Sequence, residues 1–192
     1  MVYIFTTGKT MTSIIENLTV FKVKQIFKEL SKKDNCYCEK RIVYELAKIL
    51  EQLGYYIFFE YPQKYNAKRM YEDIRVEAPN GIFIFEIKYC PSNIKISHGT
   101  MTATSRSNSP AEKRALSFIQ DIERTQKIIN ENTLIEGGFC VFITNQNNII
   151  ERINERQKEF CSDLKWEFFR NNTGKSGDFY LLLVPICKNN LM

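Results

Sequence analysis

Three residues have the types and spacing for chemistry on a phosphate: Asp73, Glu86 and Lys88. The run Ile82–Tyr89 is rich in β-branched and aromatic residues and reads as a strand. Side chains alternate across a strand, so Ile84, Glu86 and Lys88 share one face, and Phe83, Phe85 and Ile87 the other. A charge inside an apolar strand is costly, so Glu86 and Lys88 must be exposed, paired or used. Asp73 lies in the preceding strand, Tyr71–Glu77, with twelve residues between it and Glu86. The joint Ala78-Pro79-Asn80-Gly81 has the residues of a hairpin turn, and pairing through it sets Asp73 beside Glu86. Two such carboxylates form a hard oxygen site suited to Mg²⁺, with Mn²⁺ an alternative. A neighbouring lysine stabilises the charge that builds on a phosphate under attack. A cation held there polarises a phosphoryl oxygen and lowers the pKa of water, which is what phosphodiester hydrolysis requires. The competing reading is a solvated Glu–Lys pair on an edge strand. Phe83, Phe85 and Ile87 argue instead for an inner strand.

The elements around these residues must bring them together. Apolar positions at Ile14, Ile15, Leu18, Phe21, Ile26, Phe27 and Leu30 predict a first helix over 14–30. A second runs from about Cys38 to Leu53 on the stripe Ile42, Val43, Leu46, Ile49, Leu50 and Leu53, and Gly54 stops it. Glu39, three and four residues before Ile42 and Val43, extends the inward stripe and is the candidate helix carboxylate. Glu45 is rotated towards the flank and is the fallback; for Glu39 the plainer role is a solvated acid at a helix start. Tyr55–Glu60 reads as a strand, Pro62–Lys68 as a connector, and Cys90–Ser109 as a long loop without apolar periodicity. Lys95, His98 and Arg106 in that loop could order on nucleic acid. Ser109-Pro110-Ala111-Glu112 has the pattern of a capping box and opens a helix to about Asn130. Gly138–Thr144 reads as a buried strand, Ile149–Phe160 as a helix, and Trp166–Phe169 and Phe179–Val184 as late strands. Asp121 and Arg124, spaced i, i+3, read either as a surface ion pair or as a brace for the active-site face.

The arrangement Asp73-x12-Glu86-Ile87-Lys88 behind a helix glutamate resembles the PD-(D/E)XK nuclease superfamily over roughly Glu39–Thr144. Glu60-Tyr61-Pro62 looks like the end of the first strand in many of its members. The segments Ile119-Gln120-Asp121-Ile122-Glu123-Arg124 and Val141-Phe142-Ile143-Thr144-Asn145 are similar to a group of small bacterial restriction-like proteins. The resemblance implies an α/β fold of one domain over 1–192. Its restriction-endonuclease-like core (αβββαβ) would span about 38–145, with a mixed central sheet flanked by helices, an N-terminal helical extension and a C-terminal αββ extension. It also implies a Mg²⁺-dependent deoxyribonuclease. Asp73, Glu86 and the Ile87 carbonyl would hold the metal, Lys88 would orient water or neutralise the transition state, and Glu39 would assist with a second metal or with water. Restriction, defence or DNA processing would be its setting, and a homodimer its form, because cutting both strands needs two sites. A catalytically inactive nucleic-acid-binding or assembly module of the same fold is the alternative.

Bulk properties agree with this reading without requiring it. At 192 residues the chain suits one domain with a sizeable core. The net charge of +5 favours a polyanionic partner, and Lys22, Lys24, Lys28, Lys32, Lys33, Lys40 and Arg41 concentrate part of it. Several of the six cysteines sit in apolar runs, as small hydrophobes do. With no secretory signal and no stretch long enough to span a bilayer, a cytoplasmic protein with free thiols is expected. Other chemistries fail on residue type. Gly8-Lys9-Thr10 lacks the leading glycine of a phosphate loop, having Tyr3 there, and Cys36-Tyr37-Cys38 lacks zinc-site spacing. The one histidine, His98, excludes a nuclease that depends on two, and no nucleophile setting for a Ser-His-Asp hydrolase is present.

Overall fold

The computed structural model describes residues 16–31, 38–65, 68–90, 94–98, 101–105, 110–160, 167–173 and 177–188. In chain order the elements are α1 (Val20–Ser31), α2 (Glu39–Gln52), β1 (Tyr56–Tyr65), β2 (Lys68–Ala78), β3 (Gly81–Cys90), β4 (Ile94–His98), β5 (Met101–Ser105), α3 (Ala111–Glu131), β6 (Ile135–Thr144), α4 (Asn147–Phe160), β7 (Glu167–Thr173) and β8 (Gly177–Cys187). The main sheet has the order β1-β2-β3-β6-β8-β7. Its β3–β6 pair is parallel and the other neighbours are antiparallel, so the sheet is mixed. A parallel pair needs a crossover, and α3 supplies it. The sheet is thus central to an α/β fold with helices on both faces.

β3 and β6 lie inside the sheet and are covered on both sides, which explains their near-continuous apolar sequence. Phe85, Ile87, Val141 and Ile143 pack with α1 and α2. Ile84, Cys140 and Phe142 pack with Ala115, Phe118 and Ile122 of α3 and Ile149 and Ile153 of α4. The alternation expected for β3 is therefore observed, and β3 is no edge strand. The β2–β3 turn is closed by Gly81, whose φ of 121° is open only to glycine at little cost. Its Asn80 accepts from the backbone N–H of Leu18 at 2.9 Å and donates to the carbonyl of Leu18 at 3.0 Å, anchoring the chain before α1.

Several expectations are corrected. The segment Cys90–Ser109 is not structureless: β4 and β5 form an antiparallel hairpin within it. The β-branched and apolar residues Ile94, Ile96, Thr102 and Thr104 are the period-two signal behind it. The connector Pro62–Lys68 is largely strand, because β1 is an edge strand and an edge tolerates Pro62. Ser109 of the expected capping box lies outside the described residues. Pro110 is the N-cap residue without a side-chain bond, and Glu112 is taken by Arg152 and Arg156 of α4. Ile14 and Ile15, Gly8-Lys9-Thr10 and Cys36 lie outside the described residues. Cys38, Cys90, Cys140 and Cys187 are free thiols. Among the described residues no helix is long and apolar enough to cross a membrane.

Candidate active site

The site lies where two strands part company. β2 pairs with β3 from Ala78↔Gly81 to Ile74↔Phe85 and no further, while β3 continues to Cys90 against β6. Beyond Phe85, the edge of β3 that faced β2 has backbone groups without strand partners, and such groups need others. Two carboxylates supply them. Asp73 accepts the N–H of Ile87 at 2.7 Å, and Glu39, at the first turn of α2, accepts the N–H of Tyr89 at 3.0 Å. Residues two apart on a strand are about 6.6 Å apart, so the two acids stand in a row along one strand edge. The N–H and C=O of one strand residue point to the same side. The carbonyl of Ile87 therefore opens onto this edge, between the two carboxylates.

Glu86 and Lys88 leave β3 on the α3 face, as alternation requires. Arg124 of α3 lies 3.1 Å from the Glu86 carboxylate and 3.0 Å from that of Asp121, and Lys88 Nζ lies 3.3 Å from Asp121. Glu86, Arg124, Asp121 and Lys88 thus form one chain of alternating charge. Asp121 is buried because it shares the inward stripe of α3 with Phe118, Ile122 and Thr125.

Burial sets the electrostatics. The Asp73 carboxyl is pushed up to about 6, chiefly by burial, against the Ile87 hydrogen bond and with repulsion from Glu39. Glu86 is pushed up to about 8, again chiefly by burial, with Asp73 and Asp121 adding to it and Arg124 opposing it. The attraction of Arg124 alone would keep Glu86 ionised, but loss of water outweighs it. Burial draws the Lys88 ammonium down; Asp121, Glu39 and Asp73 outweigh that, leave it above its usual value and keep it charged. These mutual influences place Glu39, Asp73, Glu86, Lys88, Asp121 and Arg124 in one cluster. Of these six residues four are acids and two are bases.

The carboxylates and the backbone carbonyl suit a hard divalent cation in kind and charge. Among the described residues no three His, Cys, Asp or Glu side chains form a ready metal cage. Asp73, Glu86 and the Ile87 carbonyl are the groups that the sequence expectation assigns to a cation. Glu45, the fallback acid, is not at the site. It is buried in α2 rather than on the flank, and pairs with Arg41 at 2.6 Å. Asp121 and Arg124 belong to the cluster, and the place of Asp121 on the buried stripe of α3 is the signal in the sequence. The side chains of Lys95 and His98, and Arg106 altogether, lie outside the described residues.

Comparison with known proteins finds no matching family model, no similar curated protein and no similar solved structure.

Proposed function

We propose that this chain is a metal-dependent phosphodiesterase of the PD-(D/E)XK type that cleaves DNA inside the cell, in defence or DNA processing. One observation carries the reading: acids from β2, β3 and α2 gather where β3 outruns β2, beside a lysine on the same strand.

Asp73 and Glu86, with the Ile87 carbonyl, would hold Mg²⁺ or Mn²⁺, and Glu39 would support a second ion or a water. The ion supplies Lewis acidity at the phosphoryl oxygen and a more acidic water. The protein's own groups do the rest. Asp73 and Glu39, fixed by the Ile87 and Tyr89 N–H groups, are positioned before substrate arrives, so little reorganisation is needed. Lys88 is a charged donor at the mouth of the site, able to orient water or to stabilise negative charge on the phosphate. Arg124 and Asp121 hold Glu86 and Lys88 apart and in place. Cleavage of both strands calls for two such sites, hence a homodimer.

Supercoiled plasmid incubated with Mg²⁺ or Mn²⁺ tests this, comparing wild type, Lys88→Ala and an EDTA control, with oligonucleotide ends as further substrates. Metal-dependent nicking lost in Lys88→Ala is the expected result. DNA binding with no metal-dependent cleavage of any substrate would replace the enzyme with an inactive binding module.

A further inference from the structure

The sheet face that carries Glu86 and Lys88 continues, uncovered by α3, onto β2 and β1. Residues in register across a sheet point to the same side. Phe58 pairs with Arg75 and Arg75 with Ile84, and Ile84 is in the core beneath α3. Phe58 and Arg75 therefore face the α3 side. α3 packs over β3, β6 and β8. Tyr56, Phe58 and Tyr61 on β1 remain 71%, 40% and 36% exposed.

These aromatics are organised. Glu60 has a φ of 45°, a left-handed conformation uncommon for a residue with a side chain. The β1–β2 pairing is interrupted there, at the level of Asp73, between Phe59↔Ile74 and Tyr61↔Glu72. The kink brings Phe58 and Tyr61, three apart, to the same side, with ring centres 6.2 Å apart and edge to face. On the neighbouring strand Arg75 donates two hydrogen bonds of 2.9 Å to Glu72. Both partners of that ion pair are buried, and the Arg75 guanidinium lies 3.7 Å from the centre of the Tyr61 ring. A buried ion pair adds little stability by itself. Here it fixes an exposed tyrosine ring in one orientation, two residues along β2 from Asp73.

We infer that Phe58 and Tyr61 form a stacking platform for unpaired bases of single-stranded DNA, on the sheet face beside the proposed site at Asp73. The inference rests on the nuclease reading of the site and narrows its substrate to DNA that is single-stranded or unpaired at the cut. Preset aromatic rings beside a phosphate-cleaving site are what sequence-tolerant single-strand binding uses, since every base has a face to stack. The other occupant such a surface suggests is a second copy of this chain paired along the edge of β1. Pro62 and the kink at Glu60 interrupt that edge in the way natural edges are blunted.

Fluorescence anisotropy in EDTA, where nothing is cleaved, tests the platform with labelled oligothymidylate, a duplex of equal length and an oligouridylate. Phe58→Ala and Tyr61→Ala should each weaken binding of the DNA single strand about tenfold, with Tyr61→Trp retaining it and duplex binding changing little. Unchanged single-strand affinity in the double alanine variant, or wild type preferring duplex, overturns the platform. Preference for oligouridylate overturns the assignment to DNA. Loss of a dimer on size-exclusion chromatography in the double variant, with DNA binding intact, gives the surface to a second copy. Cleavage separates this inference from the reading it rests on. Metal-dependent nicking with an inert platform leaves the nuclease standing, and an aromatic-dependent single-strand binder without cleavage leaves the platform standing.

Discussion

The Asp73 carboxylate holds the backbone N–H of Ile87 at 2.7 Å, taking the place a β2 carbonyl would fill had the two strands stayed paired. One side chain thus closes the sheet edge and presents charge to the site, and substitutions separate the two jobs. Asp73→Asn keeps an acceptor oxygen and loses the charge. Its thermal midpoint should stay near wild type while metal-dependent nicking falls about a hundredfold or more. Asp73→Ala also strands the N–H, at a cost of roughly 1 kcal/mol after the relief of a buried acid. Melting curves and plasmid nicking on the same preparations check this, and an active Asp73→Asn would remove Asp73 from the chemistry.

Stability should fall as pH rises. Asp73 and Glu86 have folded-state values of about 6 and about 8, above the ordinary 3.8 and 4.5. Between roughly pH 4 and 8 the folded protein therefore binds more protons than the unfolded chain. The slope of unfolding free energy with pH is then negative. The favourable contribution is complete below the unfolded values and is lost as pH passes the folded ones, by an amount on the order of a few kcal/mol. Urea titrations in EDTA at about pH 5, 6.5 and 8 measure it. Glu86→Gln, which still offers an oxygen to Arg124, should flatten most of the slope, and an unflattened slope would place its source elsewhere.

Much of this was legible in the chain. Alternation in Ile82–Tyr89 separates Glu86 and Lys88 from Phe85 and Ile87, and the turn at Pro79–Gly81 sets a β2–β3 register that ends one pair short of Asp73 and Glu86. The apolar stripe of α2 placed Glu39 on its inward side, since period and burial are local properties of a sequence. The burial of Glu45 is not legible in the pattern, because it comes with an ion pair to its own i−4 neighbour, Arg41. The kink at Glu60 and the parting of β2 from β3 are tertiary events with no turn residue to announce them. Asp121 and Arg124 were visible as a pair, but only the packing of α3 on β3 makes the pair face Glu86.

Divalent cations should stabilise the protein more at about pH 8 than at about pH 5.5. A cation requires its carboxylates deprotonated, so at low pH it must displace the protons that burial retains on Asp73 and Glu86. Binding to the folded state alone raises the melting temperature by mass action. Excess Mn²⁺ should therefore produce a clear upward shift at the higher pH and little at the lower, with none in the Asp73→Asn, Glu86→Gln double variant. A shift that ignores pH, or survives in that variant, would put the cation at another place on the protein.

Arg124 lies as a counter-ion beside Glu86 and Asp121. Its guanidinium balances charge that a divalent ion would otherwise balance, so the two should oppose each other. Arg124→Gln keeps hydrogen-bonding capacity and removes the positive charge. In EDTA at about pH 8 the variant should be less stable than wild type, because Glu86 then faces Asp73 and Asp121 with less compensation. Its affinity for Mn²⁺ by isothermal titration should nevertheless rise, on the order of tenfold, or about 1.4 kcal/mol. General damage to the site cannot give that combination, since it lowers stability and affinity together. Parallel loss of both would instead show that Arg124 supports the acids sterically and that its charge does not compete with the ion.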